Sequence, residues 1–250
     1  MHGIHAVRLL LERAPERVLH LHILESAAGA NSRLATVLAE ARRFDIPVTR
    51  ATREQLARLA EGGVHQGLVA DIRPARVVDE SALPELLDRL TGPPLLLVLD
   101  GVQDPHNLGA CLRTADAAGV NAVIIPRHRA AGLTPVVHKT ACGATQTLPL
   151  VQATNLARAL RNLKDQGIWL LGAAGDARDS LYSANLTGPL AIVVGAEQEG
   201  LRRLTRDLCD TLVHIPMRGA VESLNVSVAT GVCLFEARRQ QASDKGVRAL

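Results

Sequence analysis

From position 94 onward, short apolar runs alternate with helical spacings. The runs are Leu95 to Leu99, Ala122 to Ile125, Ile168 to Ala173, Leu190 to Val194 and Thr211 to Ile215. They are apolar at nearly every position, which predicts strands buried on both faces. Helices are predicted over Gly109 to Ala118, Asn155 to Asp165, Thr205 to Asp210 and Leu224 to Gln240. Strands alternating with helices imply an α/β fold built on a parallel sheet with both faces covered.

The first 73 residues follow a different pattern. Val7 to Arg13 is helical in spacing. Val18 to Leu24 alternates as a half-buried strand would, with Leu19, Leu21 and Ile23 set against His20 and His22. Leu34 to Phe44 and Arg53 to Ala60 are amphipathic, the second stopped by Gly62-Gly63. Ile46 to Thr49 is extended, and Gly67 to Ile72 reads as a strand. Residues 74–93 carry Pro74, Pro84, Pro93 and Pro94 at or beside their ends and only a short helical piece, Leu83 to Leu90. The organisation expected is a small α/β domain over 1–73, a linker over 74–93 and a larger domain over 94–250.

Composition narrows the function classes. No apolar run reaches the length of a membrane span, and no basic-then-apolar leader follows Met1. The cysteines, Cys111, Cys142, Cys209 and Cys233, are scattered without Cys-x-x-Cys spacing. They read as small hydrophobes in a reduced, cytoplasmic setting and not as metal ligands. Net charge is +3, and the lysines are only Lys139, Lys164 and Lys245. An arginine-dominated cation set suits planar phosphate contacts, although a GC-rich genome gives the same bias. Aromatic residues make up 2%, too few for base-stacking platforms.

Candidate chemistry gathers at the strand ends, where α/β proteins place ligands. Leu99 gives way to Asp100-Gly101, and then to Asp104, Pro105, His106 and Asn107. Leu171 leads to Gly172-Ala173-Ala174-Gly175. Val194 leads to Gly195-Ala196-Glu197-Gln198-Glu199-Gly200. Ile215 leads to Pro216-Met217-Arg218-Gly219, with Ser223-Leu224-Asn225 heading the last helix. Glycine at such ends allows close approach of a ligand, and it is also common in ordinary turns. No G-x-G-x-x-G follows a strand, and there is no phosphate-binding G-x-x-x-x-G-K-[ST] and no G-x-S-x-G. Glu197 stands where a pyrophosphate cradle would want a neutral residue, which disfavours a dehydrogenase.

Three stretches resemble the signature motifs of the SpoU-like class of SPOUT methyltransferases, in the same order and spacing. They are Asn107-Leu-Gly-Ala-Cys-Leu-Arg113-Thr-Ala, Gly195-Ala-Glu-Gln-Glu-Gly200, and Ile215-Pro-Met with Ser223-Leu-Asn-Val-Ser-Val-Ala. The N-terminal part, with Gly3-Ile-His-Ala-Val and Val64-His-Gln-Gly67, looks like the L30e-like substrate-binding domain of part of that class. Its first motif lies close to Met1, so a few residues are expected to be missing ahead of it. The likeness covers nearly the whole chain. The run from Asp104 to Gly119 narrows it to members acting on guanosine in 23S ribosomal RNA.

The resemblance implies a parallel-sheet catalytic domain with a C-terminal trefoil knot. It implies S-adenosylmethionine as methyl donor, no metal, and transfer to a ribose 2′-OH in the peptidyl-transferase P loop. Ala173, Gly195, Ile215, Met217 and Leu224 would contact the cofactor. Asn107 and Arg113 would come from one subunit and the cofactor from its partner, so the enzyme would be a homodimer. Glu197 would hold Arg113, while Ser223 and Asn225 would shape the site. The same chemistry on transfer RNA or another ribosomal site is the neighbouring alternative, and a non-catalytic RNA-binding protein of this fold is another.

Elementary chemistry bears on these roles. A methyl sulfonium needs an in-line oxygen nucleophile and no acid. Arginine as the base is expensive, with a side-chain pKa above about 12, so a clamp on the adjacent phosphate is preferred for Arg113. A surface ion pair with Asp116 is the bland alternative. Asn107 could be a turn residue after Pro105, Ser223 a helix cap, and His106 a solvated turn histidine. Val228, Val232 and Phe235 form one stripe of the last helix, suited to a core or a dimer interface. Two departures from the class stand out: Gln198 where glycine is common, and Glu222 where a small residue is common.

Overall fold

A computed structural model describes residues 1–13, 15–25, 32–73, 77–90, 92–197 and 199–244. The chain divides into two compact units, Met1–Ala75 and Arg76–Leu250.

The first unit runs α1 (Ile4–Arg13), β1 (Val18–Leu24), α2 (Ser32–Arg43), β2 (Val48–Ala51), α3 (Arg53–Leu59) and β3 (Leu68–Ile72). Its strands lie in the order β2-β1-β3, with β2 parallel and β3 antiparallel to β1. Val7, Leu10, Leu21, Val37 and Leu68 pack into its core. Leu19 is an exception to the expected alternation: it is 45% exposed. The register with β3 shifts between Val18 and His20, and this irregularity turns Leu19 outward. Thr52 caps α3 through a reciprocal box with Gln55.

The second unit runs β4 (Val77–Asp79), α4 (Leu83–Asp88), β5 (Leu95–Asp100), α5 (Pro105–Ala117), β6 (Ala122–Pro126), α6 (Pro135–Thr140), α7 (Ala144–Thr147), β7 (Leu150–Ala153), α8 (Leu156–Asp165), β8 (Trp169–Ala173), β9 (Asp179–Ser180), β10 (Leu190–Gly195), α9 (Arg203–Leu208), β11 (Thr211–His214) and α10 (Val226–Asp244). Among the described residues eight strands form one sheet, ordered β4-β7-β6-β5-β10-β8-β11-β9, and each recorded pairing is parallel.

The period of two along the central strands builds two cores. Leu95, Leu97 and Leu99 face one layer with Leu108, Leu112 and Leu234 of α5 and α10. Leu96 and Val98 face the other with Leu160 and Leu163 of α8. A strand buried on both faces must be apolar at every position, which is why these runs were legible.

Two expectations need correction. Within the stretch expected to be a linker, Val77–Asp79 pairs with β7 at the sheet edge and Leu83 is buried, so most of that stretch belongs to the second unit; residues 74–76 lie outside the described residues. Helix α5 begins at Pro105, not Gly109. Asp104 accepts from the His106 amide at 2.9 Å, and Pro105 takes the first helical position, where it has no amide to lose.

Candidate active site

Four strand ends converge on one open cleft of about 670 Å³, within the range of small-molecule sites. Ala173, Gly195, Ile215, Met217 and Leu224 all line it, as do Glu197 and Ser223. Its walls are mainly small or apolar, including Ala174, Val194 and Val213. Glu197 and Glu222 are the carboxylates of the lining, and no lysine or arginine is among the lining residues. Such a lining suits a cationic ligand and repels a polyphosphate.

The loop after β10 is tightly closed. Ala196 and Gly200 exchange amide bonds of 3.1 and 2.9 Å. A Cβ on Gly195 would lie 2.0 Å from the Gly200 carbonyl carbon, so only glycine fits. Beyond this loop the Arg202 amide and Nε donate to Asp100 at 3.1 and 2.6 Å. The Asp100 side chain is fully buried, and it ties the ends of β5 and β10 together. Gln198 lies outside the described residues.

At the rim, Glu197 Oε1 accepts from Asn107 Nδ2 at 2.5 Å and from Asn225 Nδ2 at 2.8 Å. Asn225 Nδ2 also donates to Asn107 Oδ1 at 3.0 Å. Asn225 has a second task. Its Oδ1 accepts from the Ser227 amide at 2.9 Å and from the Ser227 hydroxyl at 2.6 Å, at the entry to α10. The helix begins at Val226, so Asn225, not Ser223, provides the cap contact.

Arg113 is elsewhere. Six residues beyond Asn107 on α5, it lies roughly 9 Å further along the axis at 1.5 Å per residue. Its Nη1 donates to Cys142 Sγ at 3.5 Å. Within one chain, Glu197 therefore holds Asn107 and Asn225 and not Arg113, and Asn107 stands at the cleft of its own chain. Asp116, the other suggested partner of Arg113, accepts from Thr147 Oγ1 at 2.8 Å. Gly109 lets α5 approach α6 closely: a Cβ there would meet Thr140 Cβ at 2.6 Å and the Val137 carbonyl at 3.0 Å.

Sequence reading passed over two polar groups near the cleft. One is Asp100, noted only as a strand end. The other is His214, whose Nδ1 is buried without a hydrogen-bond partner. Alternation along β11 could have flagged a polar residue at a strand end, but not its isolation. Burial raises the Cys111 thiol to about 11 and the Cys209 and Cys233 thiols to about 12. These three are neutral packing groups at ordinary pH. Among the described residues, no group of three or more His, Cys, Asp or Glu is arranged to hold a metal, and no helix is long and apolar enough to cross a membrane.

Residues 94–235 match the SpoU rRNA Methylase family, and residues 2–78 match a domain described as RNA 2′-O ribose methyltransferase substrate binding. The chain belongs to the SpoU rRNA methylase family. Among its relatives is the 23S rRNA (guanosine-2′-O-)-methyltransferase RlmB of Pseudomonas syringae pv. tomato, 55% identical over 98% of this chain and 97% of that protein. The fold is similar to the SpoU methyltransferase AviRb of Streptomyces viridochromogenes, solved with AdoMet, at a TM-score of 0.69 and 23% identity, covering 97% of this chain and 90% of that one. An RNA 2′-O ribose methyltransferase is similar at a TM-score of 0.64 and 29% identity, covering 96% of this chain and 87% of that one.

Proposed function

We propose that this chain transfers the methyl group of S-adenosylmethionine to the ribose 2′-OH of a guanosine in 23S ribosomal RNA. The observation that carries the reading is the cleft. It joins an apolar wall, two carboxylates and no lining cation to a rim of Asn107, Glu197 and Asn225 linked by hydrogen bonds. The chain's 55% identity to a 23S rRNA guanosine-2′-O-methyltransferase over nearly its full length supports the choice of substrate.

The cofactor supplies a methyl group on a positively charged sulfur. Ala173, Gly195, Ile215, Met217 and Leu224 form the small and apolar bed for it, and the unpartnered His214 Nδ1 offers a polar contact. Glu197 sets a negative charge beside that bed, fixed by two amides. The ribose oxygen must stand in line with the sulfur–methyl bond, which is a matter of positioning. Asn107, Asn225 and Ser223 orient the ribose at the rim. Arg113 clamps the neighbouring phosphate through its planar fork. The 2′-OH proton passes to that phosphate oxygen.

The reading includes a homodimer in which Arg113 serves the cleft of the second copy. Its hydrogen bond to Cys142, away from its own cleft, supports this. So do Val228 and Phe235, 50% and 52% exposed on the stripe of α10 that also carries Val232. The class resemblance adds the P loop as target, an L30e-like first unit, a trefoil knot in the C-terminal part and a cytoplasmic site of action.

Calorimetric titration of the purified chain with S-adenosylmethionine tests the cofactor step. Saturable binding is expected, and no heat of binding would sink the reading.

A further inference from the structure

The cleft carries one polar atom that methyl transfer leaves without a task. His214 ends β11 and lines the cleft between Val213 and Ile215. Its Nδ1 is, among the described residues, the one buried side-chain nitrogen or oxygen without a hydrogen-bond partner. An imidazole nitrogen is a donor or an acceptor in every protonation state. Buried polar groups in native proteins are overwhelmingly paired, so an orphan at a ligand cleft points to the ligand.

The surroundings offer no substitute. Ala173, Ala174 and Val213 share this side of the cleft and present apolar side chains. Nearby backbone groups are committed, as where the Ala174 amide donates to the Val213 carbonyl at 2.9 Å.

We infer that His214 is a cofactor-contacting residue whose Nδ1 hydrogen-bonds the S-adenosylmethionine bound in the cleft. This rests on the methyl-donor reading above. The contact sets affinity and moves no proton. It also makes a positional demand. The asparagine amide lies as many bonds from Cα as Nδ1 does, whereas the glutamine amide lies one bond further out, like Nε2.

Calorimetric titration of the full chain with S-adenosylmethionine, for wild type and for His214→Ala, His214→Asn and His214→Gln, reads this directly. The alanine and glutamine variants should bind about tenfold more weakly, the loss of roughly one buried hydrogen bond, and the asparagine variant within about twofold of wild type. Equal affinity in all four proteins overturns the inference, as does equal weakening of the alanine and asparagine variants. Should His214→Ala fail to fold, the asparagine and glutamine variants decide the question alone. Wild type that binds no S-adenosylmethionine overturns the methyl-donor reading itself, a result distinct from a wild type that binds while its variants are unaffected.

Discussion

Asn107 Nδ2 donates to Glu197 Oε1 across 90 positions of sequence. The bond joins the first turn of α5 to the loop after β10, and Asn225 at the entry to α10 donates to the same oxygen. Three segments remote in the chain thus share one carboxylate at the cleft rim.

The shared acceptor predicts non-additivity. Asn107→Ala and Asn225→Ala should each lower methyl transfer by roughly tenfold or more, as for loss of a hydrogen bond to a charged group. The double variant should lose less than the product, with a coupling of at least about 0.5 kcal/mol. Single-turnover rates for the four proteins check it, and strictly multiplicative losses would refute the shared node.

Arg113 should behave differently. Arg113→Ala removes the phosphate clamp and should reduce methyl transfer by about 100-fold or more, with S-adenosylmethionine affinity within about twofold of wild type. Arg113→Lys should recover little, because an ammonium lacks the bidentate fork. Parallel rate and binding measurements decide this, and full activity in the alanine variant would refute the role.

Gly195→Ala should abolish cofactor binding and lower the melting temperature. The added methyl meets backbone, the Gly200 carbon at 2.0 Å, which cannot swing aside as a side chain could. Differential scanning calorimetry with and without S-adenosylmethionine checks both effects, and a variant that melts and binds like wild type would contradict the closed loop.

The buried thiols predict alkaline destabilisation. The Cys233 thiol is raised by burial to about 12 from 9.0. Between these values it stays protonated when folded and ionises when unfolded, so the unfolded state binds fewer protons and stability falls as pH rises through about 9. From pH 8 to pH 10 the loss from this one group is about 1.4 kcal/mol. Chemical denaturation at both pH values should show a shallower fall for Cys233→Ala than for wild type; equal slopes would contradict the assignment.

Much of the second unit was legible because its central strands are buried on both faces and leave unbroken apolar runs. β7, four residues long, and β4, inside a proline-bearing stretch, leave no such signature. Their pairing depends on sheet neighbours brought together by the fold. The first unit's β1 alternates as expected except at Leu19, where a register shift against β3 overrides the pattern. The cleft lining followed from the strand ends and motifs. The partners did not. Spacing placed Glu197 near the site but could not show that it holds Asn107 and Asn225, because that contact depends on three loops folding to one rim. It equally could not show Arg113 turned toward Cys142. His214 was invisible for the same reason: an unpaired atom is defined by everything around it.

The most direct test is a map of 2′-O-methylated nucleotides in 23S ribosomal RNA from cells with and without this protein. The account predicts the loss of one methylated guanosine in the peptidyl-transferase P loop, restored by the wild-type gene and not by Arg113→Ala. An unchanged 23S map would contradict it.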